Sequence, residues 1–197
     1  MGWQEKGMSF DPYIGNDYFN QSKKILLLGE SHYENVGEGR GKTIRVANDY
    51  INGKYNYRFF NCALSAFFGK DFTREDIMAK IAYYNFVQVI METRKHRPTK
   101  EHWAKAERPF LCVLEELMPD IVICCGKSLY GHVPYDPSDT EKSQRGVSIG
   151  GDDEHLWNRE YHYHINGKDI KLVAMRHPSS HGFNAENYYE RIFSAIN

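Results

Sequence analysis

Four clusters of chemically capable residues stand where apolar runs stop. They are Gly29-Glu30-Ser31-His32-Tyr33, Asn85-Phe86-Val87-Gln88, Gly126-Lys127-Ser128 and Arg176-His177-Pro178-Ser179-Ser180. A carboxylate and imidazoles brought together can run acid–base hydrolysis. Each residue also has an ordinary structural reading. Glu30 can cap the loop that follows it. Ser31 suits a local backbone hydrogen bond better than a nucleophile's role, because no Gly-x-Ser-x-Gly elbow surrounds it. His32 is as readily a plain loop residue, and Asn85 can satisfy backbone groups at a strand end. His177 precedes Pro178, which favours an extended turn that aims the ring across neighbouring strand ends. Gly126-Lys127-Ser128 looks like the tail of a phosphate loop, but Ile121 stands where the first glycine belongs, so a helix start is expected.

Alternating strands and helices must position these clusters. Ile25 to Leu28 is a short continuous apolar run, as in a strand covered on both faces. A glycine-rich loop follows, with Gly37, Gly39 and Gly41. Helices are expected over Thr43 to Ile51 and Arg58 to Phe68, and Asp71 or Thr73 can cap another from Arg74. Ile81 to Gln88 reads as a strand. Pro98-Thr99 opens a helix reaching Leu117, with Trp103, Ala106, Phe110, Val113, Leu114 and Leu117 at helical spacing. Pro119 ends it, and Asp120 leads into a third buried strand over Ile121 to Cys125. Tyr135 to Asp153 is polar and turn-rich, a candidate mobile loop. Trp157 to Ile165 and Ile170 to Met175 flank Asn166-Gly167, a strong hairpin signal. Arg176 to Phe183 reads as a loop and Asn184 to Ile196 as a final helix. This alternation implies an α/β fold, a three-layer α/β/α sandwich with a central mostly parallel sheet. Ligands bind such sheets beyond the carboxyl ends of the strands, where the four clusters stand.

Composition narrows the class. A chain of 197 residues suits a single domain, with a hairpin-bearing insertion at about 131–171. Hydrophobic residues at 41% against 26% charged support a packed core. The formal charge of -1 does not announce nucleic-acid binding, although a local basic face remains compatible with it. Arg94 to Arg108 is the most basic stretch, able to contact phosphates or simply to be a solvated helix face. The cysteines form no CxxC pair, and Cys124 and Cys125 should point to opposite faces. With neither a secretory signal nor a spanning apolar run, a soluble, cytoplasmic protein without membrane contact is expected. His162 and His164 share a strand face and invite a zinc reading, but exposed hairpin imidazoles are commoner, so no metal is expected.

Taken in order, these motifs resemble the uracil-DNA glycosylase superfamily. Its first motif is a glycine-led loop after the first strand, GQDPYH in one branch and GEAPG in the iron–sulfur branch; here it is GESHYE, Gly29 to Glu34. Its last motif, HPS, is His177-Pro178-Ser179. Between them, the iron–sulfur branch shows a strand with an asparagine, a Pro-Thr helix start, RPFL, and a Pro-x-x-Ile-Val strand ending in glycine. This chain has Asn85, Pro98-Thr99 and ERPFLCVLEELMPDIVICCG. The resemblance runs from about Ile25 to the C-terminus. Two departures stand out. The cluster cysteines are missing, so no iron–sulfur cluster and no other cofactor are expected. Ser31 stands where the GQDPYH branch has a catalytic aspartate, and His32 replaces the proline of both branches.

The resemblance implies a glycosylase that removes uracil or another deaminated base from DNA. Cleaving a base–sugar bond develops positive charge on the sugar and negative charge on the base, so a carboxylate suits the first and a donor the second. By resemblance, Glu30 orients water and His177 donates to the base oxygen; these are the catalytic candidates. Asn85 reads the flipped base's edge, Tyr33 walls the pocket, and Ser179 presses on the DNA. Gly29, Ser31 and His32 complete the binding loop, and Phe59 or Phe60 can stack on the base. Two alternatives stay open: a catalytically weak or inactive relative that binds nucleic acid or nucleotide in the same pocket, and a hydrolase of small nucleosides or esters.

Overall fold

The computed structural model describes residues 2–34, 39–93, 95–139, 146, 148–149, 151, 156–194 and 196. The strands are β1 (Tyr13–Ile14), β2 (Ile25–Gly29), β3 (His32–Tyr33), β4 (Ile81–Asn85), β5 (Ile90–Met91), β6 (Ile121–Cys125), β7 (Asn158–Ile165) and β8 (Lys168–Met175). The helices are α1 (Lys42–Ile51), α2 (Arg58–Phe68), α3 (Arg74–Lys80), α4 (Lys100–Leu117), α5 (Lys127–His132) and α6 (Ala185–Tyr188), the last running into a π turn, Tyr189–Phe193.

Among the described residues, six strands form one sheet in the order β1-β4-β2-β6-β8-β7. The inner four are parallel; β1 and β7 are antiparallel edges. Every residue of β2, β4 and β6 is buried, because helices cover both faces. Alternation divides the side chains between two cores. Leu26, Leu28, Val122, Cys124 and Leu172 pack with α4 and α5. Ile25, Leu27, Ile123, Cys125 and Val173 pack with α1, α2, α3 and α6. The expected mixed α/β architecture is therefore present, and Cys124 and Cys125 face opposite cores, neither in a disulfide.

Local chemistry explains the elements. Thr99 caps α4 by accepting the His102 N–H, while His102 Nδ1 accepts the Thr99 N–H, a capping box closed by histidine. Thr73 caps α3 through the Asp76 N–H. Asn166 and Gly167 have φ of 50° and 77°, the two positive values a type I′ hairpin turn requires.

Three stretches differ from expectation. The strand predicted over Ile81 to Gln88 stops at Asn85, although the Phe86 and Val87 N–H groups still donate to the Gly29 and Glu30 carbonyls. The last helix divides into α6 and the π turn. β1 has only two residues, too few for a periodic signal, and pairs onto the β4 edge. Most of the predicted mobile loop over Tyr135 to Asp153 lies outside the described residues, as does Gly37. Among the described residues, no helix is long and apolar enough to cross a membrane.

The hairpin carries a charged cluster. His162 Nδ1 lies 2.8 Å from Asp169 Oδ2 and Nε2 lies 3.0 Å from Glu160 Oε1. Burial pushes the imidazole's pKa down, but the two carboxylates outweigh it and hold it above the ordinary histidine value. A raised folded-state pKa gives stability that is fully present below the unfolded value of about 6.5 and lost as pH rises through the folded one. The wild-type melting temperature should therefore fall across that window relative to His162→Gln. A calorimetric pH series checks this; parallel curves would contradict it.

Candidate functional site

The chain runs from β2 out to β4 and then back across to β6, so connectivity reverses between β2 and β6. Such a reversal leaves a crevice beyond the carboxyl ends of the strands. Gly29 ends β2, Asn85 ends β4, Cys125 leads β6 into Gly126, and Met175 leads β8 into Arg176 and His177. The parallel register sets Gly29 beside Asn85 and Cys125 beside Met175. The clusters separated in sequence are thereby brought to one end of the sheet.

Asn85 is buried, and Tyr83 Oη donates to its Oδ1 at 3.1 Å. Burial keeps the Tyr83 phenol well above its ordinary pKa, so it remains a donor. The Asn85 Nδ2 group has no acceptor among the described residues. Gly29 permits this arrangement, since a Cβ there would lie 2.2 Å from Asn85 Oδ1 and 3.5 Å from Phe59 Cζ. Gly29→Ala should displace the amide at a cost of about 1–3 kcal/mol. Denaturant unfolding checks this, and an unchanged midpoint would contradict the close approach.

Glu30 is 8% exposed. Its Oε1 accepts from Tyr33 Oη at 3.1 Å and faces Arg97 Nη1 at 3.6 Å. Oε2 has no partner among the described residues. Burial raises the Tyr33 pKa and preserves its phenolic proton. The Ser31 hydroxyl lies beside Tyr33 but is buried without a partner at hydrogen-bond geometry. An orphaned buried hydroxyl costs about 1–3 kcal/mol, which a water or ligand group would relieve.

His177 completes the crevice. The Ser179 N–H donates to its Nδ1 at 3.1 Å, so a neutral ring carries its proton on Nε2. Burial, and then the Arg97 charge, hold its pKa below the ordinary value. Its ring centroid lies 5.7 Å from that of Phe59. Phe59, half-buried, thus spans from the Gly29–Asn85 pair to His177, whereas Phe60 is in the core, stacked on Tyr50. Ser179 is exposed at the rim.

Not every candidate joins this group. His32 is buried, with Nε2 2.8 Å from Thr43 Oγ1 and its ring edge-on to Phe10, so its bonds tie the loop to α1. Lys127 starts α5 and lies over the Trp157 ring, 5.3 Å from its centroid. Arg97 was visible in sequence only as one cation of the Arg94 to Arg108 run; Tyr83 gave no signal at all. A groove of about 560 Å³ lies between α4 and the 131–137 segment, lined by Trp103, Leu111, His132 and Tyr135 among others. It holds none of the strand-end residues. Convergent polar groups at the switch point make the stronger claim.

No protein-family model matches this chain, and no curated protein matches it.

Proposed function

We propose that the protein is a divergent member of the uracil-DNA glycosylase superfamily that hydrolyses the N-glycosidic bond of uracil or another deaminated base in DNA. The observation that carries this reading is the meeting of Asn85 and a neutral His177 at Phe59, with Glu30, the residue after Gly29, at the same sheet end. The mostly parallel sheet with helices on both faces agrees with the fold that the motif resemblance implies.

A flipped base would stack on Phe59 and present its edge to Asn85. Tyr83 fixes the amide's orientation, leaving Nδ2 to donate to a base carbonyl. Glu30 Oε2 faces the developing sugar cation and orients water. The His177 Nε2–H donates to the base oxygen as negative charge grows there. Ser31, whose orphaned hydroxyl lies beside Tyr33, the partner of Glu30, holds the same water. His32 supports the loop from behind through Thr43. No step calls on a cofactor or metal.

The test is a panel of labelled oligonucleotides containing uracil, hypoxanthine or xanthine, single- and double-stranded, followed by alkali to cut abasic sites. Cleavage at one base names the substrate. A folded protein that cuts none of them would defeat the proposal.

A further inference from the structure

Arg97 stands in an unequal pairing. Its side chain is 73% exposed, whereas that of Glu30 is 9% exposed. The 3.6 Å separation exceeds a hydrogen bond, and Arg97 makes no other ion pair or hydrogen bond among the described residues, although its charge also acts on His177 and Tyr33. A guanidinium carries five donors, so most of this one's capacity faces solvent at the mouth of the crevice. The pairing also conflicts with the chemistry proposed above. A cation beside Glu30 offsets the charge that the carboxylate must present to a forming sugar cation. A nucleic-acid strand brings the anion that resolves this conflict, because a backbone phosphate matches the guanidinium fork and competes for it.

We propose that Arg97 is a specificity and positioning residue shared between Glu30 and a backbone phosphate of the bound strand. In the free protein it stands beside Glu30; strand binding draws it to the phosphate and leaves the carboxylate to act. The ligand is therefore a polymeric, phosphate-flanked strand rather than a free nucleoside, which has no phosphate to take Arg97. The catalytic consequence rests on the base-excision reading; the transfer of Arg97 is a binding property measurable without turnover.

The experiment is fluorescence anisotropy of a labelled uracil-containing single strand over a salt series. It uses wild type, Arg97→Gln, Glu30→Gln and the double variant, with inorganic phosphate as competitor. Arg97→Gln should weaken binding and reduce the slope of log K against log salt by about one. Glu30→Gln should tighten binding, because Arg97 no longer has a competing partner. That tightening should vanish in the Arg97→Gln background. Equal tightening in both backgrounds would be a general charge effect and would overturn the proposal, as would an unchanged slope in Arg97→Gln. Displacement of the strand by inorganic phosphate at equal phosphate concentration would overturn the claim for a polymer. A wild type that releases no base yet shows this binding pattern would sink the base-excision reading and leave the Arg97 transfer standing. Base release without the pattern would sink the transfer alone.

Discussion

Glu30→Gln should lower the single-turnover rate of base release by about 10²–10³-fold while leaving the protein folded. Glutamine keeps the shape and an oxygen that can accept from Tyr33, which donates to Glu30 Oε1 at 3.1 Å. What it loses is the negative charge that the proposed reaction turns toward the sugar. The stability cost should be small, since the Arg97 contact is long and its guanidinium is exposed, and pairs of that kind contribute about 0–1 kcal/mol. Quench-flow cleavage with a parallel melting curve separates the two effects. A fully active variant would remove Glu30 from the mechanism.

His177→Ala should show a comparable loss, about 10²–10³-fold, with a distinct signature in pH. With Nδ1 accepting from the Ser179 N–H, only neutral His177 has the arrangement described, an Nε2 donor with a bonded Nδ1. Burial and Arg97 hold its pKa below the ordinary histidine value. The competent form therefore persists as pH falls through the usual histidine range, and the wild-type acid limb should lie below about pH 6.5. In His177→Ala that limb should disappear. A profile whose acid limb is unmoved by the substitution would assign it to another group.

The sequence foretold some of this arrangement and concealed the rest, for physical reasons. Ile25 to Leu28 reads as doubly covered because both faces of β2 are buried, and adjacent Cys124 and Cys125 reach opposite cores by simple alternation. The Asn166-Gly167 turn and the Thr99 cap are local chemistry, and they stand where local chemistry put them. Long-range partners were hidden. The sequence left His32 open between a loop residue and a binding residue, and could not show that its ring meets Thr43, eleven positions on. Tyr83 reads as one more buried strand tyrosine until its hydroxyl is seen to hold Asn85. Arg97 blended into a basic run, and only the fold sets it against Glu30. Pro109 sits inside α4, where interior prolines usually break helices, yet the helical spacing of Trp103, Ala106, Phe110, Val113, Leu114 and Leu117 runs through it, and so does the helix.

The central claim is that this strand-end crevice excises a base. It is tested most directly by mass spectrometry of the products from a uracil-containing oligonucleotide incubated with wild type and with Glu30→Gln. Wild type should yield free uracil and an intact strand bearing an abasic site, and Glu30→Gln should yield neither at the same time point. An unaltered oligonucleotide with wild type, or equal uracil release by both proteins, would contradict it.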